Sequence, residues 1–148
     1  IYRSSVRQGA FMVNVSPSIY AFPSLITSLA LVLYSVVTLN VGRARMKYGV
    51  MPPTMTGDSS FERVLRVQQN TLEQMILFLP ALWLFSIYVS PAWGAGIGAV
   101  WVIGRVLYAW GYYQEAKKRG PGFGISLLSV AILVFGSLIG SILALSQG

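Results

Sequence analysis

The chain has 148 residues, 55% of them hydrophobic and only 10% charged, with 11 Lys and Arg against 4 Asp and Glu for a net charge of +7. Soluble domains carry about 25% charged residues, so this is the composition of a membrane protein rather than of a soluble helical bundle. There is no cysteine and no histidine, which excludes disulfides and thiolate metal sites and removes the usual general base and metal ligand.

In chain order, residues 1–11 (IYRSSVRQGAF) are unlike the rest of the chain and read as foreign or disordered sequence ahead of a native start at Met12. Residues 12–148 then form one four-span transmembrane domain. Ser16-Pro17-Ser18 marks a helix start, since proline is tolerated in a first turn. The first span covers residues 19–41 without a charge, close to the ~20 apolar residues that cross a bilayer. Its helix continues into Arg43, Arg45 and Lys47, whose long side chains reach headgroups.

Residues 49–60 form the first connection, with Pro52-Pro53 and Gly57-Asp58 as breakers. Ser59 as N-cap with Glu62 three residues on predicts a capping box, and a second helix over residues 60–89 that stops at Ser90-Pro91. A short uncharged connection leads to a third helix over residues 92–118. Gly120-Pro121-Gly122 breaks the chain, and a charge-free fourth span covers residues 123–145, where Gly136 and Gly140 provide a close-packing face. The predicted fold is an all-α integral membrane four-helix bundle. Its cations cluster in the first and third connections (Arg43, Arg45, Lys47, Lys117, Lys118 and Arg119), which places both in the cytoplasm and argues against nucleic-acid binding. Trp83, Tyr88, Trp93 and Trp110 read as core or interfacial belt.

The chemistry concentrates in residues 61–73, FERVLRVQQNTLE. On a helix, Arg66, Asn70 and Glu73 fall within about 60° of one another. A cation, an amide and a carboxylate thus share one stripe at the mouth of an apolar run, where polar groups must be paired or bound to something polar. A second stripe, Arg105, Tyr108, Tyr112, Glu115 and Arg119, keeps to one side of the third helix by steps of three and four. Arginines interleaved with tyrosine hydroxyls suit an anionic, partly apolar ligand. Two other readings stand beside this one. The charges could merely neutralise each other, Arg66 with Glu73 and Arg105 with Glu115. Or Arg105 and Glu73 could mark a transport path, a reading weakened by the gathering of polar residues at one membrane face.

FERVLRVQQNTLE, the upstream VGRARMKYGVMPP and GRVLYAWGYYQEAKKR resemble the family of membrane-associated proteins in eicosanoid and glutathione metabolism (MAPEG). The likeness is greatest to its microsomal glutathione transferases of type 2 and its leukotriene-C4 synthases. It extends over residues 41–124, two loops and two helices; the first and fourth spans match only in hydrophobic character. The resemblance implies a homotrimer, with glutathione held between neighbouring subunits. It puts Arg45, Arg66, Gln68, Asn70, Glu73, Tyr108 and Tyr112 at glutathione-contacting positions, and Arg119 at the arginine that stabilises the thiolate. Two positions depart from the leukotriene-C4 synthases: Gln74 replaces a tyrosine and Met46 an arginine. The first implies one looser ligand contact; the second, an arginine that the type 2-like enzymes also lack, implies broad conjugation over specialised leukotriene synthesis.

The ligand suits the residues. Glutathione has two carboxylates for Arg45 and Arg66, an ammonium for Glu73 and amides for Asn70 and Gln68. The implied activity is thiolate attack on lipophilic electrophiles, or on a lipid hydroperoxide as a peroxidase. A non-catalytic lipid-binding scaffold, like the five-lipoxygenase-activating protein of the same family, is the alternative. The implied membrane is the endoplasmic reticulum in a eukaryote and the inner membrane in a bacterium.

Overall fold

A computed structural model of the protein describes residues 17–147; the expectation for residues 1–11 lies outside the described residues. A short 3-10 turn, Pro17–Tyr20, leads into α1 (Ala21–Tyr48), followed by α2 (Ser59–Tyr88), α3 (Pro91–Gln114), a second 3-10 turn, Ala116–Arg119, and α4 (Gly120–Gln147). All four helices are long and apolar enough to cross a membrane. The chain is a multi-pass membrane protein.

Helices α2 and α3 form the centre: α1 and α4 each pack on both of them. The main core joins Ile26 and Ala30 of α1, Phe78, Leu82 and Phe85 of α2, Trp101 of α3 and Leu133 of α4. Within it the Phe78 and Trp101 rings stack at 3.8 Å between centroids. The outer surface is apolar too, with Phe22, Leu39, Ile76 and Phe135 exposed. Such a surface is stable only against lipid or another protein. Trp93 and Trp110 are exposed near opposite ends of α3, as belt residues are.

Four boundaries differ from the sequence expectation. The N-cap of α2 is Asp58, not Ser59: its Oδ1 accepts from the Ser60 N–H at 2.7 Å, and Glu62 Oε1 accepts from the Gly57 N–H at 2.9 Å. A carboxylate one residue upstream outcompetes a hydroxyl because it also complements the positive end of the helix dipole. Helix α3 starts at Pro91, capped by Ser90 Oγ, and stops at Gln114 rather than Lys118. Residues 116–119 instead form the tighter turn that folds back over α3. Gly120-Pro121-Gly122, expected as a break, opens α4, with proline in a first turn where its missing N–H costs nothing.

Two glycines permit this fold-back. A Cβ on Gly111 would collide with the Lys118 carbonyl, and one on Gly122 with the Tyr108 backbone nitrogen. The chain after α3 therefore lies directly against α3. Further along, Gly136 receives the Phe85 ring and Gly140 receives Val89 and Tyr88, so the expected close-packing face of α4 meets the end of α2.

Candidate functional site

At the end of the bundle carrying the basic connections, α2, the last turns of α3 and the start of α4 enclose a cleft of about 570 Å³. Arg66, Gln69, Asn70, Glu73, Tyr108, Tyr112, Arg119, Gly120 and Phe123 line it. Six of the eight residues singled out in the sequence thus meet in one place. They come from two helices and a turn, and the tertiary fold assembles them.

Arg119 is not on α3. It sits on the 3-10 turn, from which Nη1 donates to the Tyr112 hydroxyl at 3.0 Å and the guanidinium lies 5.1 Å from the Tyr112 ring centroid. The expected single stripe over residues 105–119 is therefore two elements, rejoined by the fold-back that Gly111 allows. Tyr108 and Tyr112 are buried and stacked, with ring centroids 5.7 Å apart. Their neighbours Val37, Val67 and Ala109 form the apolar floor beneath them.

Asn70 is held from below. Its Oδ1 accepts from Arg105 Nη1 at 3.0 Å, and its Nδ2 donates to Glu73 Oε2 at 3.3 Å. Arg105 also donates through Nη2 to Thr71 Oγ1 at 2.7 Å, and Thr71 in turn donates to the Val67 carbonyl. Neither expected neutralising pair forms. Among the described residues the one ion pair within 4.0 Å is Lys118 with Glu115, both exposed. The cationic groups of the cleft are thus not consumed by neighbouring carboxylates.

Two predicted residues lie elsewhere. Gln68 is about 200° around α2 from Arg66, and its Nε2 donates to the Tyr34 hydroxyl of α1 at 2.7 Å. Arg45 closes the first connection: Nη1 donates to the Val50 and Thr54 carbonyls at 3.1 and 2.8 Å, and the guanidinium lies over the Phe61 ring. Gln74, where a looser ligand contact was expected, is buried and accepts from Trp101 Nε1 at 3.2 Å, facing α3 rather than the cleft. Gln69 and Phe123 line the cleft without having been predicted. Gln69 carried a usable signal, lying three residues after Arg66 on the same helical face. Phe123 carried none, because its position depends on how α4 docks.

This arrangement defines a membrane protein with a polar, donor-rich cleft at one end of an apolar four-helix bundle. Comparison with known proteins places it further: the MAPEG family pattern matches residues 23–139, and the chain belongs to that family. It is 60% identical to an uncharacterized protein of Synechocystis over 126 residues, 85% of this chain and 92% of that protein. It is 44% identical to human microsomal glutathione S-transferase 2 over 102 residues, 69% of each chain. Leukotriene C4 synthase of Cavia porcellus is 38% identical over 99 residues, 67% of this chain and 66% of that protein.

Proposed function

We propose that the protein is a membrane glutathione transferase that conjugates glutathione to lipophilic electrophiles. The observation that carries this reading is the lining of the cleft: Arg66, Arg119, Asn70, Tyr108 and Tyr112 supply donors, and Glu73 is the one carboxylate among them. That set complements a small peptide with two carboxylates, one ammonium and one thiol. Arg66 takes a carboxylate as a forked donor, and Glu73 takes the ammonium. Arg119 meets the sulfur. A thiol with an ordinary pKa of about 8.5 is only a few per cent thiolate at pH 7, so the bound thiolate must be favoured electrostatically. A guanidinium donating toward the sulfur does this without any proton-transfer group.

The electrophile reaches the sulfur from the bilayer side, where Phe123 and the exposed apolar face of α4 border the cleft. The thiolate attacks an electrophilic carbon and displaces its leaving group, such as the chloride of chlorodinitrobenzene. With a lipid hydroperoxide it would attack the outer oxygen, breaking the O–O bond to release the lipid alcohol and leave a glutathione sulfenic acid, which a second glutathione converts to the disulfide and water. We further propose a homotrimer in which Gln68 and Arg45 of one protomer complete the site of the next. Their placement away from the cleft of their own chain supports this reading, as does the apolar exterior, which leaves room for protein contact.

The test is equilibrium binding of glutathione to the detergent-purified protein, followed by turnover with chlorodinitrobenzene. Saturable binding and conjugation are expected. Absence of saturable binding removes the enzyme reading and favours a lipid-binding scaffold.

A further inference from the structure

Arg105 is fully buried, 0% exposed, inside the membrane-spanning helix α3. Its hydrogen-bond partners are neutral, the Asn70 carbonyl and the Thr71 hydroxyl, and no described carboxylate pairs with it. The face of Tyr108 lies 4.0 Å from its Cζ, and its Nε–H is buried without an acceptor. Glu73 acts on the guanidinium electrostatically without bonding to it, bridged through Asn70, and a buried cation with no directly bonded counter-ion is costly. It is also chemically one-sided, because a guanidinium donates and never accepts.

That one-sidedness decides how Asn70 points. Asn70 must present its carbonyl to Arg105, which turns its NH2 to Glu73 and the cleft. An unconstrained asparagine could present either end. This one offers the cleft a donor, and the same NH2 holds Glu73 by one oxygen, leaving the other to accept from a ligand ammonium. We infer that Arg105 is a positioning residue, a buried guanidinium that orients Asn70 and, through it, Glu73, and whose missing counter-charge is supplied by the anionic ligand when it binds. The inference rests on the glutathione reading above. Glutathione in its thiolate form carries two net negative charges, and binding in the cleft brings them beside Asn70, the residue that Arg105 holds.

The experiment compares Arg105→Met, Arg105→Lys and Asn70→Asp with wild type, as full-length protein in detergent. It reads the melting temperature without and with glutathione, the glutathione dissociation constant, and KM against kcat. Without glutathione, Arg105→Met should melt no lower than wild type, because an uncompensated buried charge has been removed. It should bind glutathione about 10- to 100-fold more weakly, with most of the loss in KM because Arg119 is intact. It should also lose most of the melting increase that glutathione gives wild type. Arg105→Lys keeps the charge without the fork and should recover part of the affinity. Asn70→Asp should pair with Arg105, raising the ligand-free melting temperature while weakening binding.

An Arg105→Met protein that melts well below wild type, yet binds glutathione within twofold of it, overturns the inference and makes Arg105 a packing residue. If that variant does not fold, Asn70→Asp decides: unchanged affinity overturns the inference. Should wild type itself bind no glutathione, the proposed function fails and the ligand-free melting comparison decides alone. A value for Arg105→Met at or above wild type then supports an uncompensated charge, and a drop overturns it.

Discussion

Replacing Arg119 by alanine removes the guanidinium that the 3-10 turn holds beside Tyr112 at the rim of the cleft. The proposed role requires the bound thiol to fall from a pKa of about 8.5 to about 6.5, which needs roughly 2.7 kcal/mol of preferential thiolate stabilisation. A unit charge about 4 Å from the sulfur gives about 4 kcal/mol at the effective dielectric of a protein surface, but only about 1 kcal/mol in bulk water. Arg119 is itself exposed. The shift is therefore attainable only when bound glutathione and lipid cover the rim. At pH 7 the thiolate fraction would be about 75% in wild type and about 3% in Arg119→Ala, a loss of roughly 25-fold in turnover. The assay is the ultraviolet absorbance of bound thiolate, together with chlorodinitrobenzene turnover across pH. The sign is set by the direction of the shift: a thiol whose pKa is lowered reaches full activity at lower pH. The wild-type profile should therefore rise about two units before that of the variant, and the variant should recover most of its turnover near pH 9. Turnover within twofold of wild type at pH 7, or superimposable profiles, would refute the assignment of Arg119 as the activator.

Glu73→Gln should raise KM for glutathione by about 10- to 100-fold with little change in kcat, as expected when a charged hydrogen bond to the ammonium is lost. A desamino analogue of glutathione should bind both forms alike, and an equal loss for that analogue would assign Glu73 elsewhere. Gly122→Ala should cost about 1–3 kcal/mol through overpacking, because its Cβ meets the Tyr108 backbone. Since the same displacement carries the start of α4 and Arg119 away from Tyr112, turnover should fall as well as the melting temperature. An unchanged melting temperature would show that α3 and α4 are not in this contact. Co-expression of Gln68→Ala with Asn70→Ala chains should yield mixed trimers with more activity than either variant alone, because one interface then combines intact copies of both residues. No recovery, in a preparation where mixed oligomers are demonstrated by native mass spectrometry, would confine the site to a single chain.

Composition and patterning were enough to determine the four spans, because the bilayer imposes length and hydrophobicity on every crossing segment and the 3.6-residue period aligns Arg66, Asn70 and Glu73 along one helix. The family likeness, too, is carried by contiguous residues, and so is legible without coordinates. Local signals misplaced the helix ends by a few residues: Asp58 competed with Ser59 for the same N–H groups, and no local cue announces that α3 stops at Gln114. Only the tertiary structure decided that Arg119 returns to Tyr112 from a separate turn, that Gln68 faces Tyr34, and that Arg105 goes unpaired while Asn70 is turned toward Glu73. These outcomes depend on backbone approaches at Gly111 and Gly122 and on competition between donors on different helices. No periodicity along one chain encodes them, because each depends on the distance between elements far apart in sequence.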